Sequence, residues 1–384
     1  MKTRARVLEH LQTKFPALKD APLADLISEN LFADHVLQLP KDIAAQAEAF
    51  AAACFELRHN SNYQQHMSTE SQARRLKDPG NDAIATSYDF HVDANGVLKL
   101  IEINTNASFL ALGDELYEAL ALPRPFADHS NAELKKCFEK EFELCGLNGP
   151  MRVAIVDEKP LEQRLYVEFL VYRELMKSWG LDVRILDTAD DLTDRNFIYN
   201  RDTDFFLERT QVALLRQDWI DGKICVSPHP YEYLLLADKQ RLIDWRGPGF
   251  FDSIGLSTSS RTTFQRHLLQ VEDLNPENAE MLWSKRKGLF FKPKRSFGAK
   301  QSYRGSSMSR KLFDELIPQD LLAQEFSPAP ETEVETPLGK QSFKYDLRFY
   351  GYRGKIQSVM ARLYQGQVTN LRTPYGGFAA VRFS

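Results

Sequence analysis

The chain has 384 residues, a formal net charge of −4 and the apolar and charged fractions of an ordinary globular protein, so two or three domains are possible. The small negative charge, without a dense basic stripe or zinc-finger spacing, argues against a nucleic-acid partner. Four scattered cysteines, an N-terminus typical of an amphipathic helix rather than a signal peptide, and no long apolar run predict a cytoplasmic protein that does not bind membranes.

The first 148 residues are mostly helical by their apolar periodicity, with one hairpin between the helices. The predicted helices are Lys2–Phe15, Pro22–Phe32, Lys41–Leu57, Asp114–Leu120 and Asn131–Cys145. Residues 146–150 (GLNGP) have the composition of a linker that ends this region.

The segment 87–106 predicts a β-hairpin with metal-binding side chains at one end. Its strands are Ser87–Val92 and Val97–Asn104, joined by a turn at residues 93–96. This register places Asp89 opposite, or one step from, Glu102, and Asn104 shares a face with Glu102. Two facing carboxylates and an amide oxygen suit a hard cation such as Mg²⁺ and indicate chemistry on a magnesium nucleotide. The alternative is a half-exposed hairpin whose acids are simply solvated.

Residues 149–230 contain a βαβ unit. Strand Arg152–Asp157, helix Leu161–Trp179 and strand Asp182–Leu186 follow one another. Strands are also predicted at Phe197–Asn200, Asp204–Leu207 and Lys223–Ser227. Neither GxGxxG nor GxxxxGK[ST] follows a strand, which argues against a dinucleotide-binding Rossmann site and a P-loop.

Residues 231–384 show an α+β pattern. The predicted helices are Tyr231–Trp245, Thr262–Leu269 and Asn278–Ser284. The predicted strands are Leu289–Pro293, Leu321–Phe326, Phe343–Tyr350, Lys355–Arg362 and Gly366–Leu371, with a loop at Ser327–Pro337.

Lys292 ends a strand and precedes a basic, glycine-containing flap at residues 296–305. Free backbone amides with Lys294, Arg295 and Lys300 suit the phosphates of a nucleotide. A solvated basic hairpin tip is the alternative.

Two further segments carry polar groups that suit a nucleotide or an acid. The strand exit LLAQEFSPAP at residues 321–330 has the character of an interdomain hinge that can pair with an adenine edge, although a core strand explains it equally well. Asp346 and Arg348 lie on one strand face, and Arg362, Asn370 and Arg372 follow. Arginines in this number indicate a site for a phosphoryl group or a carboxylate, beyond their usual solubilising role.

Six motifs together resemble those of the eukaryotic-type glutathione synthetases and, more distantly, the glutathionylspermidine and trypanothione synthetases. In chain order they are IEINTNASF, YNRDTDFFLE, LLADKQRL, FFKPKRSFGAK, LLAQEFSPAP and TNLRTPYGGFAA. These families are ATP-grasp ligases. The resemblance implies an α/β (α+β) ATP-grasp fold in permuted order, divided into a helical region with the metal hairpin (1–148), a βαβ substrate domain (149–230) and a nucleotide-binding region (231–384).

The resemblance also implies roles for individual residues. Mg²⁺ would be held by Asp89, Glu102 and Asn104. ATP would be bound by Lys239, Lys292, Lys300, Gln324, Glu325 and Phe326. Arg201 and Arg372 would face the acid substrate, and the catalytic groups would be Lys292, Arg362 and Arg372.

Two positions depart from the family pattern. Ser87 stands where family members tend to have arginine, and Ser296 stands where glutathione synthetases carry glutamate. The implied activity is an ADP-forming ligation of a small acid to an amine through an acyl-phosphate. A regulatory or scaffolding pseudo-ligase that only binds ATP, and a small-molecule phosphotransferase, remain as alternatives.

Overall fold

The structure, a computed structural model, describes residues 2–126, 128–295 and 302–384. The predicted flap residues Ser296 and Lys300 lie outside these ranges. Three β-sheets organise the described residues, and the cavity considered below lies where they meet. Within the described ranges, no helix combines the length and the apolar character needed to cross a membrane.

The largest sheet has seven strands and draws on both ends of the chain. Its order is β1-β15-β14-β13-β2-β3, with β12 paired to β13. The strands are β1 (Phe32–Leu39), β2 (Thr86–Val92), β3 (Leu98–Asn104), β12 (Glu331–Thr336), β13 (Gly339–Tyr352), β14 (Lys355–Tyr364) and β15 (Gly377–Phe383). The pairing of β1 with β15 is parallel, whereas the other pairs are antiparallel.

The other two sheets have four strands each. An antiparallel sheet of order β10-β9-β11-β8 is built from β8 (Val271–Asp273), β9 (Leu289–Pro293), β10 (Tyr303–Arg304) and β11 (Leu321–Glu325). A parallel sheet of order β5-β4-β6-β7 is built from β4 (Arg152–Asp157), β5 (Asp182–Asp187), β6 (Phe197–Asn200) and β7 (Cys225–Ser227). The parallel sheet contains the predicted βαβ unit.

The helices cover the faces of the sheets and connect them. They are α1 (Thr3–Lys14), α2 (Leu23–Leu26), α3 (Lys41–Arg58), α4 (Ser61–His66), α5 (Ser68–Ala73), α6 (Leu110–Ala119), α7 (Asn131–Leu144), α8 (Tyr166–Ser178), α9 (Ala213–Ile220), α10 (Pro230–Glu232), α11 (Gln240–Asp244), α12 (Phe250–Ser253), α13 (Thr258–His267), α14 (Ala279–Lys285) and α15 (Arg310–Leu316).

The alternation of side chains on β2 separates the hydrophobic core from the cavity. The ring centroid of Phe50, on α3, lies 5.7 Å from that of Tyr88 and 5.3 Å from that of Phe90, in edge-to-face contacts. Both β2 aromatics are buried. Because neighbouring residues on a strand point to opposite faces, the packing of Tyr88 and Phe90 against α3 directs Asp89 and His91 to the cavity.

Several sequence predictions are confirmed, among them the hairpin, Leu289–Pro293 and the βαβ unit. The predicted helix Pro22–Phe32 is wrong, because only Leu23–Leu26 is α-helical and Phe32 begins β1. The predicted helix Tyr231–Trp245 is interrupted at Asp238, whose backbone is extended and whose Oδ1 accepts a hydrogen bond from Gln240 N at 3.0 Å.

Two predicted strands and one predicted loop are also wrong. Residues 204–207 form a turn, in which the Asp204 carboxylate accepts a hydrogen bond from Arg209 N at 2.7 Å. Residues 366–371 belong to a loop in which Asn370 Oδ1 accepts from the backbone N–H groups of Arg372 and Thr373, both at 3.0 Å. The predicted loop 327–337 contains β12 instead. The three predicted domain ranges remain a prediction.

Candidate active site

A cavity of about 480 Å³ lies at the junction of the three sheets. Each sheet contributes ionisable or polar side chains to its wall. They include Asp89, Glu102 and Asn104 from the hairpin, Lys292 and Gln324 from the β9–β11 pair, and Asp157 and Arg201 from the ends of β4 and β6. The cavity therefore gathers groups that are far apart in the sequence.

The predicted register of the hairpin is confirmed, because Asp89 pairs directly with Glu102. The next pair is Phe90 with Leu100, which leaves Ile101 as an extra residue in a β-bulge. The carbonyl oxygen of Ile101 accepts hydrogen bonds from Lys292 Nζ and Gln324 Nε2, each at 3.4 Å. The bulge thus joins the hairpin to the neighbouring antiparallel sheet.

Both carboxylate oxygens of Asp89 bind guanidinium groups. Arg348 donates from Nε to Oδ1 at 2.8 Å and from Nη2 to Oδ2 at 2.6 Å, and Arg362 donates from Nη2 to Oδ2 at 2.8 Å. Burial disfavours the charged carboxylate, but the two arginines outweigh it and lower the pKa of Asp89 to about 2. Ser87 Oγ also donates to Oδ1, at 3.2 Å. Asp89 is therefore an anchor for two arginines as well as a neighbour of Glu102.

Glu102 and Asn104 are less heavily engaged. Asn104 Nδ2 lies 3.4 Å from Glu102 Oε1, and Lys239 Nζ lies 3.6 Å from Glu102 Oε2. Burial opposes ionisation of Glu102, but the positive charge of Lys239 holds its pKa below the usual value. Asn104 Oδ1 accepts no hydrogen bond from the part of the chain that the structure describes. A carboxylate and an amide oxygen accordingly face the cavity together.

Lys292 is buried and held in place by its neighbours. Its Nζ donates to Gln324 Oε1 at 2.8 Å. Burial lowers the pKa of Lys292 to about 8, although the nearby charge of Glu102 partly compensates. Lys239 and Lys292 both line the cavity, so the structure brings together the two lysines that the sequence singles out for phosphates.

The predicted adenine hinge, residues 324–326, lines the cavity beside Lys292. Phe326 N donates to the carbonyl oxygen of Gly288 at 2.8 Å, and the guanidinium of Arg304 lies 3.3 Å from the centroid of the Phe326 ring. The hinge is therefore fixed on both sides before any ligand binds.

Arg201 lies at the carboxyl end of the parallel sheet, immediately after β6. Its Nη2 donates to Ser108 Oγ at 2.6 Å, whereas the buried Nε and Nη1 have no hydrogen-bond partner in the described part of the chain. Asp157 ends β4 nearby, and burial together with the charge of Asp202 raises its pKa to about 7 despite the opposing effect of Arg201. Because β5 and β6 flank β4 on opposite sides, these residues lie where ligands bind in open parallel sheets.

A loop at residues 365–376 connects β14 to β15 beside the cavity. Residues 367–371 line the cavity, whereas Arg372 is exposed and does not. Arg164 Nη2 donates to the carbonyl oxygen of Leu371, which attaches the loop to the parallel-sheet region. Thr369 Oγ1 donates to Asp346, which also binds Arg362 Nε at 2.6 Å.

Two predicted flap cations do not reach the cavity in the part of the chain that is described. Lys294 pairs with Asp273 at 2.8 Å and Asp320 at 2.9 Å, and Arg295 lies 3.4 Å from Asp238. Lys300 and Ser296 lie outside the described residues.

The cavity residues that the sequence analysis does not single out include His91, Asp157 and Arg164. The period of two along β2 could have indicated His91, since it shares a face with Asp89. The carboxyl end of a predicted buried strand could have indicated Asp157. No sequence signal pointed to Arg164.

Comparisons with known proteins find similarity in structure but not in sequence. No protein-family model and no curated protein sequence matches the chain. Among solved structures, the chain is similar to a glutathione synthetase like-effector from Globodera pallida, with a TM-score of 0.59 at 10% identity over 92% of this chain and 90% of that one. It is also similar to a candidate gamma-glutamylcysteine synthetase from Methylobacillus flagellatus KT, with a TM-score of 0.49 at 10% identity over 87% and 88% of the two chains.

A third similarity is to the ATP-grasp ligase PsnB, in a complex with a precursor variant, Mg and ADP. Its TM-score is 0.31 at 11% identity, over 56% of this chain and 89% of that one. The first similarity confirms the predicted mixed α/β fold, which this chain shares with a glutathione synthetase like-effector. The roles of individual residues remain predictions.

Proposed function

We propose that the chain is an ATP-dependent, ADP-forming ligase that joins a small carboxylic acid to an amine. One observation carries the proposal: a single cavity combines oxygen donors for a divalent cation, lysines for phosphates and a buried guanidinium for an acid. The shared fold with a glutathione synthetase like-effector supports it.

The nucleotide would lie between the hinge and the two lysines. Residues 324–326 would contact the adenine, while Lys239 and Lys292 would contact the phosphates, with Lys300 of the flap as a third cation. Lys292 is already oriented by Gln324, at 2.8 Å, and by the Ile101 carbonyl. A cation that is positioned before binding needs little reorganisation when charge develops on the phosphates.

The donor set of Glu102 and Asn104 fits Mg²⁺, because a carboxylate and an amide oxygen are hard ligands. Asp89 would complete the predicted set of three, but its two oxygens bind Arg348 and Arg362. We therefore assign the metal first to Glu102 and Asn104, and assign to Asp89 the positioning of the arginines. Bound Mg²⁺ would offset phosphate charge in the reaction.

The acid would be bound by Arg201, whose Nε and Nη1 have no hydrogen-bond partner among the described residues. Arg372 of the adjacent loop is exposed and does not line the cavity, so it would contribute only by turning inward. The carboxylate oxygen of the acid would attack the γ-phosphorus, the bond to the β–γ bridging oxygen would break, and ADP would leave an acyl-phosphate. An amine would then attack the acyl carbon and release phosphate, forming the amide and losing a proton. Arg362 and Arg348 would offset the charge on the transferring phosphoryl group.

A pseudo-ligase that binds ATP without ligation is the second candidate. It is favoured by Ser87, which supplies only a hydroxyl where the resemblance implies an arginine. Against the pseudo-ligase, Arg348 of β13 brings a guanidinium to the carboxylate of Asp89, which also accepts from Ser87. A phosphotransferase, the third candidate, would stop at a phosphorylated acid.

The test is mass spectrometry of the purified chain incubated with Mg-ATP and fractionated pools of small acids and amines, with Glu102→Gln as the control. A new mass that corresponds to condensation, formed together with ADP and nearly absent with Glu102→Gln, is the expected result. Bound ATP without either product would favour the pseudo-ligase, and a stable phosphorylated acid would favour the phosphotransferase. Near-normal turnover by Glu102→Gln would contradict the metal assignment.

A further inference from the structure

His91 is a cavity residue to which the reaction above gives no role. It lies on β2 two residues after Asp89, and its ring lines the same cavity. Its Nδ1 lies 2.8 Å from the carbonyl oxygen of Ser327. Because a carbonyl oxygen only accepts hydrogen bonds, Nδ1 is the donor and carries the proton. In the neutral ring, the other nitrogen, Nε2, then has a free lone pair.

The Nε2 atom has no hydrogen-bond donor among residues 2–126, 128–295 and 302–384. A lone pair at a ligand cavity is satisfied by an O–H or N–H group of the ligand or by water. Phosphate oxygens are acceptors themselves, so a neutral imidazole does not suit them. The natural partner of Nε2 is therefore a hydroxyl or amine group of a bound molecule.

The position of His91 in the cavity indicates which hydroxyl or amine group of the ligand donates to Nε2. Ser327, its backbone partner, directly follows Phe326 at the end of the proposed adenine hinge. Lys292, proposed for the phosphates, lines the same cavity, and its charge acts on the imidazole of His91. The part of ATP between its base and its phosphates is the ribose, whose 2′ and 3′ hydroxyl groups are hydrogen-bond donors.

We infer that His91 is the ribose-reading residue of the site, its Nε2 accepting a hydrogen bond from a ribose hydroxyl of the nucleotide. This inference rests on the proposed use of ATP. It adds a specificity to that proposal: the site distinguishes a ribonucleotide from the deoxynucleotide that lacks the contacted hydroxyl. Removing that hydroxyl lowers affinity, because Nε2 of the partly buried His91 then loses its hydrogen-bond donor.

The experiment is calorimetric titration of the full chain with the magnesium complexes of ATP, 2′-deoxy-ATP and 3′-deoxy-ATP. The wild type is expected to bind one deoxy analogue about three- to tenfold more weakly than ATP, as a hydrogen bond of ordinary strength implies. His91→Phe is expected to bind ATP and that analogue equally. His35→Phe is the matched control, because His35 is a partly buried strand histidine that does not line the cavity, and it should retain the discrimination.

Three results would overturn the inference. One is equal binding of ATP and both deoxy analogues by the wild type, which requires no variant to fold. Another is unchanged discrimination in His91→Phe. The third is obtained with a triphosphate that lacks only the 6-amino group of adenine: if the effect of His91→Phe disappears with that ligand, Nε2 serves the base instead. A wild type that binds none of these nucleotides would instead refute the proposed use of ATP, and this inference with it.

Discussion

Removing the charge of Asp89 distinguishes a residue that positions arginines from a residue that only holds a metal. In the absence of metal, Asp89→Asn leaves Arg348 and Arg362 without the carboxylate that binds both. The pKa of Asp89 falls from 3.8 to about 2, and at ~1.4 kcal/mol per pKa unit this corresponds to about 2 kcal/mol of stability at neutral pH. Breaking a buried ion pair can cost about 3 to 5 kcal/mol. We therefore expect Asp89→Asn to lower the free energy of unfolding by about 2 to 4 kcal/mol.

The assay is urea unfolding followed by circular dichroism in the presence of EDTA, with Glu102→Gln as the isosteric control. Among the described residues, the polar contacts of Glu102 are a lysine at 3.6 Å and an amide at 3.4 Å, neither of them a guanidinium, so its variant should lose much less stability. The folded-state pKa of Asp89 lies below its unfolded value of 3.8. The deficit of Asp89→Asn should therefore be complete above pH ~4 and disappear as the pH falls through about 2. A deficit below about 0.5 kcal/mol at pH 7, or one equal to that of Glu102→Gln, would refute the reasoning.

Two further predictions concern the cations of the cavity. The pKa of Lys292 is about 8, so affinity for Mg-ATP should fall as the pH rises above 8, because the ammonium group loses its charge. Lys292→Arg stays charged and should remove this decline in a titration from pH 7 to 9.5. A decline of equal size in both proteins would contradict the assignment of Lys292 to the phosphates. Two buried nitrogens of Arg201, Nε and Nη1, have no hydrogen-bond partner within the described ranges, so Arg201→Met should raise the KM for the acid at least tenfold while leaving Mg-ATP affinity and the thermal midpoint nearly unchanged. A loss of ATP affinity of equal size would place Arg201 at the nucleotide instead.

The hairpin could be predicted because its information is local. A turn and two alternating strands fix the register, and the pairing of Asp89 with Glu102 follows. The bulge at Ile101 could not be predicted, because nothing in an ordinary β sequence marks the extra residue. Arg348 was recognised as one of several strand arginines, but its partner depends on the pairing of β13 with β2 across 259 residues.

Errors in the strand prediction have a similar origin. The sequence predicts a loop in place of β12 because the glutamates Glu331, Glu333 and Glu335 are those of an exposed strand at the margin of the sheet. β15 is not predicted because two glycines stand at its start, Gly376 just before it and Gly377 as its first residue, and because its burial comes from pairing with β1 and β14. In both cases tertiary context overrides local composition.

The large sheet pairs strands that are far apart in the sequence, and this affects how the protein folds during translation. β2 and β3 are synthesised early, but β13, which supplies the partner strand of β2 and the guanidinium of Arg348, emerges only about 250 residues later. At ~5 to 20 residues per second this delay lasts on the order of tens of seconds. During that time the edge of β2 that later pairs with β13 is open, and the Asp89 carboxylate lacks its arginine partners. Nascent chains should therefore become resistant to proteases over residues 86–104 only after Tyr352 has left the exit tunnel. The cavity would then form near the end of translation.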